Sequence, residues 1–340
     1  MTQTTPLTSV QPAASSSPSN SEAASRLAGE ALTLAYIGVI AMVASATGAA
    51  YVLFPELGAL SHDVLTRPRG RWASAPLMLA LTPTVTALLG TIVTRTLPYG
   101  FASVLIAVAG AVTIIRIMRS AVAPAISAGL LPLVLGVTSW WYPPGVLFGS
   151  ALLALISIPW RRRALALGAT LSATPPAAAS SATYHGRAAP PPGAAIRTGA
   201  LLAFVMLAFA CVKLTGERFI LFPPLVVITY EMLRDPAECP WVGAALRLPF
   251  ACLLTAAGGL LFERAIPFVP LAAILSMGWG IGTLRIFRLH MPPALAVALL
   301  PLVMNQPSLI YPLAVGAGTA MAVGWFAVFE LWVARRRPAS

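Results

Sequence analysis

Two arginines three residues apart, followed by a proline that opens an apolar run, occur twice in this chain. Residues 116–134 read RIMRSAVAPAISAGLLPLV and residues 285–303 read RIFRLHMPPALAVALLPLV; 10 of the 19 aligned positions are identical at a constant offset of 169. Spacing i, i+3 puts Arg116 with Arg119, and Arg285 with Arg288, on one helix face. Paired guanidinium forks are suited to hold an anion through charge-assisted hydrogen bonds. Pro124 and Pro293 stand at equivalent places behind them, where a proline fits the first turn of a new helix and the free N–H groups of that turn favour negative charge. The competing assignment is that the arginines anchor the ends of spans, stems in the apolar phase and heads in water. His290 adds an imidazole two residues past Arg288, which reads either as an interfacial residue or as a substrate or proton group.

Composition dictates what must position these groups. Hydrophobic residues make up 58% of the chain, charged residues 9%, and the mean hydropathy is +0.83. Apolar runs recur at the length a bilayer crossing requires. The expected class is therefore an all-α polytopic membrane protein. The net charge of +12 does not point to nucleic acid, because the arginines fall singly or in clusters between apolar runs and form no stripe with interleaved aromatics. Positive-inside topology accounts for them. Cys211, Cys239 and Cys252 show neither metal spacing nor a disulfide framework. No cofactor or metal is implied.

A second stretch repeats as well. TGAAYVLFPELGALSHDVLTRP (47–68) aligns with TGERFILFPPLVVITYEMLRDP (215–236) at an offset of 168, which sets Asp63 opposite Glu231. A one-residue difference in the next loop restores the offset of 169, so Trp72 meets Trp241, Tyr142-Pro143 meets Tyr311-Pro312 and Gly149 meets Gly318. One register over this length predicts an internal duplication. Carboxylates at membrane depth are costly, so Asp63 and Glu231 are either helix-end partners of arginine or candidates for proton coupling. Glu56 lies deeper, but its counterpart is Pro224, which sets it outside the shared pattern. The run Gly278-Trp279-Gly280-Ile281-Gly282 follows no strand and reads as close helix packing, not a nucleotide loop.

The expected organisation is a disordered tail over residues 1–28, a first transmembrane repeat over 29–163, a Pro/Ala-rich linker over 164–197, a second repeat over 198–334 and a basic tail over 335–340. The N-terminal stretch has no basic region before a short apolar core, so a cleaved signal peptide is not expected. Each repeat contains four long spans and two short or broken segments: 51–65 and 121–140 in the first, 219–233 and 291–305 in the second. Most arginine clusters, including the triplets Arg161–Arg163 and Arg335–Arg337, then share one side, with Arg95, Arg218 and Arg264 opposite. That asymmetry predicts a cell (inner) membrane protein with both termini cytoplasmic. An even number of crossings per half makes the repeats parallel, related by an axis along the membrane normal.

Four long spans per half, a short apolar piece after the first, a Pro-Arg loop and a Pro-Pro-Ala run leading into Leu-Leu-Pro together resemble the HPP family of membrane proteins. The second half carries the pattern best, as His290-Met291-Pro292-Pro293-Ala294 and then Leu299-Leu300-Pro301. It departs by one inserted residue, Met291, and the first half keeps only Ala123-Pro124-Ala125. The resemblance implies a plasma-membrane protein that moves a small anion, since some relatives have been linked to nitrite transport. The expected function is a transporter or channel for a small, anionic solute, its site between the repeats at Arg116, Arg119, Arg285, Arg288 and His290. The alternative is a non-transporting scaffold or assembly partner, or an enzyme acting on lipid. An enzyme is the weaker expectation, because no nucleophile–base or metal-ligand constellation can be assembled from these residues.

Overall fold

The computed structural model describes residues 20–171 and 193–335. Among them there are helices and no strand, and seven helices are long and apolar enough to cross a bilayer. The chain is an all-α polytopic membrane protein.

The first half contributes α1 (Asn20–Thr47), α2 (Glu56–Thr66), α3 (Pro76–Thr96), α4 (Phe101–Ile117), α5 (Ala125–Leu135) and α6 (Tyr142–Leu171). The second contributes α7 (Ala194–Thr215), α8 (Pro223–Arg234), α9 (Leu248–Ala265), α10 (Val269–Ile286), α11 (Pro293–Leu299) and α12 (Tyr311–Arg335). Short 3-10 turns precede α2, α8 and α9, and another carries α11 on to Val303.

Two expected boundaries move. Residues 20–28, expected as tail, form the start of α1, because SEAASRLAGEAL is rich in good helix formers even though it is not apolar. Residues 164–171 prolong α6, and residues 194–197 already belong to α7, so both ends of the expected linker are helical. The remainder of the linker, residues 1–19 and residues 336–340 lie outside the described residues.

Proline sets the length of the short helices. Pro55 caps α2, and Pro68 follows its end. α8 begins with Pro223-Pro224 and stops before Asp235-Pro236. Pro124 is the N-cap of α5, and Pro293 is the first residue of α11 behind the cap Pro292. A proline supplies no N–H and clashes with the preceding turn, so it starts a helix and does not continue one. At 11 residues, α2 rises only about 16 Å, roughly half the hydrocarbon thickness.

The segments around α2 and α5 nevertheless reach from one end of the bundle to the other. Tyr51, ahead of α2, meets Ser139 at one end. At the other end the Leu65 carbonyl lies against Gly29 of α1 and accepts the Trp160 indole N–H at 2.8 Å. α5 likewise runs from Ala121, whose carbonyl accepts from Trp72 at 2.9 Å, to Thr138, whose carbonyl accepts from Arg95 at 2.6 Å. The crossings are completed by 3-10 and extended stretches that the long helices enclose.

The halves interlock. α1 packs on α10 and α4 on α7; α2 packs on α11 and α5 on α8. Several contacts recur at the sequence offset. Tyr142 donates to the Ala128 carbonyl at 3.0 Å and Tyr311 to the Val297 carbonyl at 2.7 Å. Arg95 donates to the Thr138 carbonyl, and Arg264 to that of Pro307. Tyr51 stands edge-on to Tyr142 as Phe219 does to Tyr311.

The closest approaches fall at glycine. A Cβ at Gly90 would lie 2.1 Å from the Gly129 carbonyl oxygen, and one at Gly259 would lie 2.1 Å from that of Ala298. Only a missing side chain lets α5 settle on α3 and α11 on α9 so closely. In the Gly-Trp-Gly-Ile-Gly run, by contrast, only Gly280 packs tightly; Gly278 and Gly282 have nothing within 4 Å. Gly90→Ala and Gly259→Ala should therefore each destabilise the fold by about 1–3 kcal/mol or more, since the obstacle is backbone. Gly278→Ala and Gly324→Ala, both facing open space, should leave detergent-solubilised melting temperatures close to wild type.

Candidate functional site

α10 ends by turning left-handed. Arg288 has φ 54°, and its N–H donates to the Arg285 carbonyl while the Leu289 N–H reaches back to Leu284 at 2.9 Å. The same closure follows α4, with φ 50° at Arg119 and the Ser120 N–H bonded to the Ile115 carbonyl at 2.9 Å. Glycine is the usual residue at this position. An arginine here pays for its Cβ with about 1–2 kcal/mol of backbone strain.

In the second half this turn aims charge into a cavity. Arg26 of α1, Thr66 and Arg67 at the end of α2, and Leu284, Arg285, Arg288, Leu289 and His290 at the end of α10 line a space of about 550 Å³. Its walls come from both halves of the chain. Two buried carboxylates stand behind the arginines. Glu30 pairs with Arg26 at 3.5 Å and with Arg285. Asp63 pairs with Arg67 at 3.4 Å and with the His290 Nε2 at 3.0 Å. The acid side chains are 8% and 9% exposed, whereas Arg285 is 47% and Arg67 52% exposed. The acids therefore sit in the wall as struts, and the guanidinium groups face the water. The His62 ring lies 6.1 Å from that of His290. The Arg288 guanidinium makes no hydrogen bond or ion pair to any described residue. Four arginines against two carboxylates leave the cavity with positive charge to spare, which is the condition for attracting an anion.

The sequence-derived residues divide between two places. Arg285, Arg288, His290 and Asp63 converge on this cavity, whereas Arg116 and Arg119 do not line it. Arg116 bonds instead to the Thr198 hydroxyl and, at 3.3 Å, to the Ala194 carbonyl. Thr198 lies 168 residues beyond Glu30, so Arg285 and Arg116, 169 residues apart, reach for positions at nearly the same offset and find an acid in one half and a hydroxyl in the other. Ala121 occupies the counterpart place of His290. Glu231 comes within electrostatic range of Asp63 and of Arg234 and Arg71, and does not touch His290.

The expectation for the prolines needs correction in one respect. Pro124 and Pro293 do open helices, but the following N–H groups do not face a polar cavity. Those of Ala125, Ile126 and Ala128 bond to the Val122, Ala123 and Pro124 carbonyls, and those of Ala294 and Leu295 to Met291 and Pro292. The surrounding residues are buried and apolar. A 3-10 start consumes the donors that a regular α-helical first turn would leave free.

Arg26, Glu30, Thr66, Arg67 and His62 were not read as a site in the sequence. Arg26 and Glu30 fell at a boundary assigned to the tail, though their i, i+4 spacing at the start of an apolar run was a usable signal. Because glycine adopts φ near +50° without strain, Arg119→Gly and Arg288→Gly should each raise stability by about 1 kcal/mol. Thermal melting in detergent checks this; a lower melting temperature would mean that the arginine side chain contributes more than its backbone costs. Compared with protein-family models, curated proteins and solved structures, the chain matches none of them.

Proposed function

We propose that this protein is a transporter or channel for a small anion, built as two parallel repeats, and that the anion is recruited at the cavity lined by Arg26, Arg67, Arg285, Arg288 and His290. One observation carries the reading: four arginines from both halves line one cavity, and the Arg288 guanidinium has no acceptor of its own among the described residues. Headgroup anchors need no shared cavity and no acid struts behind them. The HPP-like pattern at His290-Met291-Pro292-Pro293-Ala294 supports the same conclusion, and a nitrite-like ion is the substrate class it implies.

The contacts that recur at the repeat offset support the two-repeat organisation; with an even number of crossings per repeat both termini share one side, and the arginine clusters on that side favour the cytoplasmic face of a cell membrane. Single-cysteine variants at Ala178 and Ser340, in a chain with Cys211, Cys239 and Cys252 replaced, should resist an impermeant thiol reagent on intact cells and react after permeabilisation. Replacing Cys239 is a precaution only, since burial pushes its thiol up to about 12 and keeps it protonated. Labelling of either position from outside would overturn the parallel arrangement.

Uptake into proteoliposomes, screened over nitrite, nitrate, chloride, formate and phosphate, tests the site. Arg288→Ala removes a contact worth about 1.5–3 kcal/mol, so affinity should fall roughly tenfold to a hundredfold. Lysine should restore part of that, because it offers a point charge and no planar fork. Arg285→Ala should cost folding as well, since it strips Glu30 of a partner; adding Glu30→Gln should recover abundance but not affinity. Arg116→Ala and Arg119→Ala should affect affinity less, as neither lines the cavity. Full activity in the Lys variants, with every Ala effect tracking abundance, would sink the anion site.

A further inference from the structure

The most deeply buried acid in the chain lies away from the basic cavity. Glu56 is the first residue of α2 and 1% exposed. Its neighbours come from both halves: Ser127 of α5, Tyr142 at the start of α6 and Tyr311 at the start of α12. Among the described residues no charged side chain acts on it appreciably, from its own helix or from the elements packed against it. Both tyrosine hydroxyls are committed elsewhere, to the Ala128 and Val297 carbonyls. Ser127 lies beside the carboxyl, yet neither Glu56 oxygen nor the Ser127 Oγ has a hydrogen bond of acceptable geometry among the described residues. Two buried polar side chains thus stand side by side among apolar ones, in contact with residues of both halves. Such groups are retained at membrane depth where they handle an ion, because apolar replacements pack at lower cost.

We propose that Glu56 is an intramembrane proton site, and that its loading and unloading accompany each anion that passes between the halves. This rests on the anion reading of the basic cavity. The carboxylate binds one proton to give the neutral acid and releases the same proton on the other side; one proton per monovalent anion leaves the cycle electroneutral. A proton fits the place better than a metal cation, which would need several oxygen ligands, whereas here one carboxyl and one hydroxyl stand among apolar side chains and spent tyrosines. Access from the cavity follows α2. Asp63 lies seven residues beyond Glu56, two turns along the same face and about 10 Å away. Asp63 is hydrogen-bonded to His290 at 3.0 Å, and the buried His62 Nδ1 beside it has no partner among the described residues.

The full-length protein in proteoliposomes with pyranine in the lumen tests the coupling. Nitrite added outside should acidify the lumen beyond protein-free vesicles, with about one proton moved per nitrite. Glu56→Gln, which keeps the shape and removes the titration, should lower protons moved per nitrite at least tenfold. An unchanged ratio would overturn the proposal. A second measurement needs neither transport nor a folded variant. Dicyclohexylcarbodiimide, an apolar reagent that adds to protonated buried carboxyls, should modify Glu56 of the wild-type protein, with labelling that declines between pH 5 and 9. No adduct at any pH, or an adduct blocked by sodium and indifferent to pH, would overturn the proton site. Titrating labelling in a protein that moves no nitrite would uphold the proton site while removing the anion reading and the coupling with it.

Discussion

A helix broken inside a membrane exposes peptide groups that hydrocarbon cannot satisfy, and this constraint organises the molecule. Four segments carry such breaks: those around α2, α5, α8 and α11. Their residues are almost entirely buried, so they occupy the interior, with the long helices around them. Since α2 packs on α11 and α5 on α8, each half covers the irregular backbone of the other. Neither half could lie in a bilayer in this form alone. The glycines at 90 and 259 follow from the same requirement, because the backbones of α5 and α11 must come close enough for the long helices to shield them.

Charge is placed by the same logic at the other scale. A carboxylate buried without a partner is expensive, and a carboxylate behind an arginine is a strut. Glu30 and Asp63 are such struts, holding Arg26, Arg285, Arg67 and His290 around one space. The first-half counterpart, with Thr198 in the place of Glu30 and Ala121 in that of His290, has the arginines without this frame. The two ends of α4 and α10 thus share a backbone turn, down to the left-handed arginine, and differ in what the side chains meet. Matched backbone turns with different side-chain surroundings thus leave the cavity on one side only. Glu56, matched to Pro224, is asymmetric in the same way.

Much of this was legible in the chain because membrane crossing imposes simple rules. Apolar run length announced seven of the eight expected long spans, the remaining one, α4, being shorter, and proline placed the starts of α5 and α11 within a residue. The self-similarity pointed to Arg285, Arg288 and Asp63 before any contact was known. Arg26 and Glu30 escaped because composition marks where a helix is apolar, not where it begins, and α1 starts before its apolar run. Arg116 and Arg119 share the backbone turn of Arg285 and Arg288 but not their cavity, because partners are chosen by neighbouring helices whose sequences differ.

Whether the short segments cross or turn back was beyond the sequence, since an 11-residue helix fits either course. Only the tertiary structure decides, because the answer lies in which distant residues the flanks meet: Tyr51 with Ser139 at one end, Leu65 with Gly29 and Trp160 at the other. The same holds for the helix-opening prolines. The sequence by itself determined that helices begin there; whether the first N–H groups are free depended on the preceding turn, which folds back as 3-10 and consumes them. It was local chemistry, apolar length, proline and charge, that determined the elements. Packing between residues more than a hundred positions apart decided which of them form a site.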